Sequence, residues 1–129
     1  MSSYRDLRVW QTAMDLAVRT YEETSAFPSE ERFGITQQMR RAAVSVASNI
    51  AEGYGRRTSR QRYNFLETAL GSLFELETQT ELSARIGLLQ EANSHAMLEM
   101  IRSTGRGLTS LMRYVQSEAR QETKRHLPP

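Results

Sequence analysis

The sequence predicts an all-α protein, an antiparallel up-down four-helix bundle, on three observations. Apolar residues recur with the period of an α-helix in four long segments, and no segment shows the alternation of a half-buried strand. Proline occurs only at Pro28, Pro128 and Pro129, so roughly a hundred residues between them contain no proline to break a helix. Glycines separate several of the periodic segments, as expected where helices end.

Length and composition are those of one soluble globular domain, with 129 residues, 39% hydrophobic and 25% charged. Cysteine is absent, which excludes disulfides, thiolate metal sites and cysteine nucleophiles. The N-terminus lacks the apolar stretch of a signal peptide, and no segment is long and apolar enough to span a membrane. We therefore expect a cytoplasmic protein with no membrane contact. Residues 4–120 are assigned to the bundle, and the polar residues 121–129 are expected to form a disordered tail.

The first helix is predicted from about Asp6 to Thr24. Its apolar stripe consists of Leu7, Trp10, Met14, Ala17, Val18 and Tyr21. Val9, Ala13 and Leu16 lie beside this stripe, so the apolar arc covers about 200°, whereas one core face requires about 100°. This excess predicts a contact between subunits, to which we assign Val9, Leu16 and, from the third helix, Phe74.

The second helix is predicted from about Ile35 to Ala51 and is expected to end at Gly53. Its apolar positions carry mostly small side chains, which allow a neighbouring helix to approach closely. These core positions are Ile35, Met39, Ala42, Ala43, Val46, Ala47, Ile50 and Ala51.

The third helix is expected to start near Ser59, because Thr58 and Gln61 have the spacing of a capping box, and to end at Gly87. The fourth is predicted from about Gln90 to Ala119. Gly105 and Gly107 lie inside it, where each costs about 1 kcal/mol relative to alanine. They therefore indicate a tight contact or a bend.

The residues of catalytic and metal sites are mostly missing. His95 and His126 are the only histidines, and neither has a second ligand at the spacing of a metal site. A phosphate-binding glycine loop and a nucleophile elbow are also absent. Acidic pairs such as Glu77 and Glu81 are typical of a solvated helix face or of a surface that binds a partner's arginine. We predict no enzyme activity, no catalytic residues, no metal and no cofactor.

Basic residues are concentrated at the turn before the third helix and in the last segment, where residues 102–129 contain six basic and two acidic side chains. The turn carries four arginines within seven residues, beside a helix N-terminus that attracts anions. Tyr54 and Tyr63 add rings that can stack on bases. The candidate nucleic-acid-binding residues are Arg40, Arg41, Arg56, Arg57, Arg60 and Arg62. The alternative is a solvated turn whose arginines pair with Glu52, Glu67 or a neighbouring subunit.

Four segments together resemble a known family. They are Leu7-Arg8-Val9-Trp10-Gln11-x-Ala13, Phe27-Pro28-x-Glu30, Arg40-Arg41-Ala42-x-x-Ser45-x-x-Ser48-Asn49-Ile50-Ala51-Glu52-Gly53 and Phe65-Leu66-x-x-Ala69-x-Gly71-Ser72-Leu73-x-Glu75-Leu76-Glu77. In this order, over roughly residues 4–115, they resemble the four-helix-bundle proteins encoded in intervening sequences of bacterial 23S rRNA genes. Ala47 stands where that family often has a proline.

The resemblance implies an antiparallel four-helix bundle that assembles as a ring, typically a homopentamer. The chain is also similar to the accessory variability protein of diversity-generating retroelements, a pentamer whose basic surface contacts a reverse transcriptase and RNA. Two functions stay open at this point. One is an RNA-binding or accessory module, and the other is a scaffold that docks an acidic protein partner without binding nucleic acid.

Overall fold

The computed structural model describes residues 3–125, which form an all-α structure with no strand in this range. The four helices are α1 (Arg8–Thr24), α2 (Ile35–Tyr54), α3 (Ser59–Arg85) and α4 (Glu91–Arg125). Single turns of 3-10 helix cover Tyr4–Asp6 and Ser29–Glu31. Each helix packs on the next in sequence, and α1 also packs on α4. The predicted four-helix bundle is therefore confirmed. Within residues 3–125, no helix combines the length and the apolar character needed to cross a membrane.

The predicted start of α3 is confirmed, whereas the predicted C-terminal ends of α2 and α4 are corrected. Thr58 caps α3, and its hydroxyl oxygen accepts a hydrogen bond from the backbone N–H of Gln61 at 3.1 Å. The second helix continues through Gly53 to Tyr54 instead of ending at that glycine. The fourth helix continues to Arg125, so residues 121–125 are helical and not a disordered tail. Residues 126–129 of the predicted tail lie outside the described residues.

The contact between α2 and α3 is close because small residues face it. Gly53 is buried, and a Cβ atom there would lie 3.1 Å from the Cβ atom of Phe65 and 3.3 Å from the carbonyl oxygen of Arg62. One turn earlier, Asn49 donates hydrogen bonds to the carbonyl oxygen and the hydroxyl of Ser45. The Ser45 and Ser72 hydroxyls are hydrogen-bonded at 2.8 Å across the two helices. Much of the Ser-x-x-Ser-Asn-Ile-Ala-Glu-Gly segment therefore serves helix packing.

The buried face of α1 differs from the predicted stripe. The buried residues are Val9, Ala13, Leu16, Thr20 and Thr24. Three members of the predicted stripe are exposed, namely Met14, Val18 and Tyr21 at 40%, 55% and 46%. Because Thr20 and Thr24 are buried, the face of α1 that packs on the core is more polar than the predicted stripe.

The helices differ in length, which leaves one end of the bundle incomplete. At 1.5 Å per residue, α4 is about 52 Å long and α1 only about 26 Å. Val9, at the start of α1, lies against Gly107 in the middle of α4. The second half of α4 therefore extends past the start of α1, and a groove lined by residues of all four helices opens there.

Candidate nucleic-acid interface

The turn between α2 and α3 lies beside the C-terminal half of α4. The Ser59 hydroxyl donates a hydrogen bond to Oε1 of Glu122 at 2.9 Å, and Nη1 of Arg62 lies 3.9 Å from Oε1 of Glu118. These contacts join residues 52–62 and 113–125 into one end of the bundle, hereafter the basic end.

Charge is separated along the long axis of the molecule. The basic end contains eight basic and three acidic side chains. The opposite end, formed by residues 24–40 and 81–95, contains three basic and four acidic side chains. The basic side chains of the basic end are Arg56, Arg57, Arg60, Arg62, Arg113, Arg120, Lys124 and Arg125. A concentration of one sign of charge at one end produces a local potential that attracts polyanions.

Two arginines of the turn are partly engaged by the protein itself. Arg56 forms an ion pair with Glu52 at 3.0 Å, and its guanidinium carbon lies 4.6 Å from the centre of the Phe65 ring. Arg62 donates a hydrogen bond from Nε to the carbonyl oxygen of Arg56 at 2.9 Å, in addition to its long ion pair with Glu118. The Arg56–Glu52 pair is about half exposed, so its contribution to stability is small.

Arg57 and Arg60 have no such engagement. Both side chains are exposed, and neither forms a hydrogen bond or an ion pair with any residue in the described range 3–125. Arg60 belongs to the first turn of α3, where the backbone N–H groups add a partial positive charge. These two side chains are therefore available to an external anion.

Arg40 and Arg41 lie apart from the turn. Arg40 precedes Tyr54, the last residue of α2, by fourteen residues, which corresponds to about 21 Å of helix. Its Nε donates a hydrogen bond to the Thr24 hydroxyl at 2.9 Å, and its guanidinium carbon lies 4.6 Å from the centre of the Tyr21 ring. Arg41 is exposed beside it. The structure thus divides the six candidate arginines between the two ends of the bundle.

Of the three residues predicted for the subunit contact, two are buried within one chain and one is exposed. Val9 and Leu16 are 8% and 0% exposed within one chain, because α1 presents them to its own bundle core, so assigning them to a contact between chains was wrong. Phe74 is 57% exposed and stays available for such a contact.

The contribution of α4 to the basic end was missed by sequence reasoning. The excess of basic residues after position 102 was the available signal. Periodicity, however, does not show that Arg120 or Lys124 lies at the same end as the turn. Their position depends on the length of α4 and on the hydrogen bond between Ser59 and Glu122.

Among residues 3–125, no group of three or more histidine, cysteine, aspartate or glutamate side chains could hold a metal ion. His95 does have a carboxylate near it, contrary to the sequence-based expectation, since its Nε2 lies 3.7 Å from Oε1 of Glu91. Both side chains are largely exposed. His126 lies outside the described range.

Residues 5–110 match the family described as 23S rRNA-intervening sequence protein. The chain belongs to this family. The chain is also similar to a solved structure, that of a protein of unknown function from the S23 ribosomal protein family of Bacteroides thetaiotaomicron. The two share 22% identity with a TM-score of 0.73, over 81% of this chain and 97% of the other. At this identity the likeness shows the fold. A comparison with curated proteins found no match. The second part of α4, after residue 110, lies beyond the family match.

Proposed function

We propose that this protein is a non-enzymatic, cytoplasmic RNA-binding or accessory module that uses its basic end to bind the phosphate backbone, without a metal or a cofactor. The proposal rests on the exposed side chains of Arg57 and Arg60, which have no hydrogen-bond or ion-pair partner within residues 3–125. They belong to an end that has eight basic and three acidic side chains. Guanidinium groups match phosphate oxygens in a bidentate geometry and stay charged at any physiological pH.

Aromatic rings beside the basic end favour a single strand such as RNA over duplex DNA. Tyr54 and Tyr114, which flank the open groove next to the basic end, offer rings on which unpaired bases can stack.

The protein is proposed to act as a homo-oligomer, with the pentamer implied by the family resemblance. Large apolar side chains on the outer face of α1, together with Val44 on α2 and Phe74 on α3, are 40–57% exposed in one chain. Exposed apolar surface of this kind is typical of subunit contacts. Assembly would repeat the basic end in each subunit, so weak phosphate contacts would add through avidity.

A second candidate function is a scaffold for an acidic protein partner. The ion pairs of Arg56 with Glu52 and of Arg62 with Glu118 favour it, because they show carboxylates engaging the same guanidinium groups. An acidic segment of a partner could extend this pattern to Arg57 and Arg60.

A filter-binding titration against one structured and one unstructured RNA, repeated at rising salt, separates the two functions. We expect binding in the micromolar range at low salt that weakens steeply as counterions are released. If neither RNA binds at tens of micromolar protein, the RNA-binding function is rejected and the scaffold function is retained.

A further inference from the structure

A groove lies between the helices beside the basic end. It has a volume of about 950 Å³ and is lined by residues from all four helices. This volume is within the range of small-molecule sites. Its apolar lining includes Leu111, which is partly exposed, and Leu66 and Val115, which are almost fully buried behind it. The groove exists because α1 begins at the level of Gly107 and leaves the space beyond uncovered.

The edge of the groove carries charge and aromatic rings. Arg8, at the start of α1, is exposed and has no ion-pair partner in the range 3–125. Arg62 lines the groove and also belongs to the basic end. Tyr54 is partly buried at one wall, and Tyr114 is 62% exposed at another. A ligand in this position therefore meets cations at the edge and apolar and aromatic surface inside.

We infer that this groove receives an unpaired base of the RNA strand whose phosphates lie on the basic end. The inference rests on the proposed RNA-binding function. Charge complementarity is its main argument, since Arg62 links the groove to the phosphate-binding surface and Arg8 offers a second cation for the next phosphate. The Tyr114 ring is exposed enough to stack on a base.

The lining favours a nucleobase over a purely apolar ligand such as an acyl chain. Thr12, Ser103, Ser110 and Glu118 place hydroxyl and carboxylate groups among the apolar side chains. The edge of a base has donors and acceptors that match such groups, whereas an acyl chain would displace water from the exposed Ser103 and Ser110 hydroxyls without replacing its hydrogen bonds. The Glu118 carboxylate can accept a hydrogen bond from an exocyclic amino group, as acidic side chains do from cytosine.

The test compares one RNA decamer as a single strand and as a duplex with its complement. The duplex has the higher charge density, so backbone attraction alone favours the duplex or is neutral. Base insertion favours the single strand, because the duplex hides its bases. We expect the single strand to bind more tightly. Tyr114→Ala should weaken single-strand binding by about 5- to 150-fold, the range measured for loss of one stacked base, and should leave duplex binding unchanged.

Two matched variants control for non-specific effects. Tyr114→Phe keeps the ring and should bind the single strand as wild type does. Phe33→Ala removes an exposed aromatic ring at the opposite end of the bundle and should change neither affinity. Circular dichroism of each variant checks that the helical content is retained.

The outcomes distinguish failure of the inference from failure of the proposed function. If wild type binds RNA but Tyr114→Ala weakens both forms equally or neither, the groove takes no base and only the backbone-binding function stands. If Tyr114→Ala changes the mass measured by light scattering, the groove is a contact between chains and the inference is overturned. If wild type binds neither form, the RNA-binding function itself is rejected.

Discussion

Val9 at the start of α1 lies directly against Gly107 in the middle of α4. A Cβ atom built on Gly107 would come within 2.9 Å of Cγ2 and 3.1 Å of Cβ of Val9. Valine is restricted at χ1 and cannot easily turn away from such a contact. The absence of a side chain at Gly107 therefore sets how closely α1 approaches α4.

We predict that Gly107→Ala destabilises the protein although it improves helix propensity. Alanine gains about 1 kcal/mol over glycine inside a helix, whereas forced overpacking costs about 1–3 kcal/mol. The net effect should be a loss of up to about 2 kcal/mol, measured by urea unfolding.

Gly105→Ala is the matched control, because a Cβ atom there would lie at an ordinary 3.5 Å from Cδ2 of Leu73. It should be neutral or should stabilise the protein by up to about 1 kcal/mol. If both variants gain stability, the contact between Val9 and Gly107 is looser than the structure shows.

A second prediction concerns the core of α2. Ile50 is fully buried, so Ile50→Ala should cost roughly 2–5 kcal/mol of unfolding free energy. Gln38→Ala, at an exposed position of the same helix, should change it by no more than about 0.5 kcal/mol. Equal losses for the two variants would contradict the orientation of α2.

The number and order of the helices could be predicted from the sequence because periodicity, proline distribution and the cap at Thr58 all agree. The buried face of α1 could not, because its apolar arc is wide and because buried threonines do not contribute to an apolar pattern. Thr20 and Thr24 donate hydrogen bonds to the carbonyl oxygens of Leu16 and Thr20 at 2.8 and 2.7 Å. A hydroxyl bonded within its own helix loses little on burial, so these side chains can face the core.

The sequence also does not distinguish a glycine that ends a helix from a glycine that lies inside one. Gly53 was interpreted as a helix end, yet it lies inside α2, where it lets α3 approach. The two roles have the same local sequence signature, and only the partner helix distinguishes them. For the candidate site, the charge pattern alone predicts the arginine-rich turn before α3. The basic side chains that α4 adds could not be predicted, because their position depends on helix length and packing.

A third prediction concerns assembly. Light scattering at micromolar concentration should give a mass several times that of one chain, 14.8 kDa. Val18→Glu should lower this mass if the outer face of α1 forms the contact, because the charge would be buried unpaired. Phe74→Glu tests the outer face of α3 in the same way. Ala92→Glu, an exposed position in the first turns of α4, is a control that should leave the mass unchanged. A wild-type mass of 14.8 kDa would reject the oligomer.

The last prediction tests the basic end directly. Arg56, Arg57 and Arg60 are replaced together by alanine, and binding to several RNA sequences is measured at different salt concentrations. Affinity should fall by a similar factor for every sequence, since phosphate contacts carry no sequence information. The slope of log affinity against log salt should decrease by about 0.7 per lost phosphate contact on a single strand, or about 2 if all three arginines make one.

A variant with the same loss of charge at other positions provides the control. Replacing Arg32, Arg41 and Arg85 by alanine removes three exposed arginines from outside the basic end. If the position of the charge matters, this variant should bind RNA nearly as wild type does. If both triple variants lose affinity equally, overall charge and not the basic end attracts RNA.

The scaffold function predicts instead that the first variant changes assembly or partner binding, and that RNA affinity is undetectable in wild type and in both triple variants. The exposed Arg56–Glu52 pair contributes at most about 1 kcal/mol, so a loss of RNA binding without a loss of helical structure would locate the binding surface at the turn before α3.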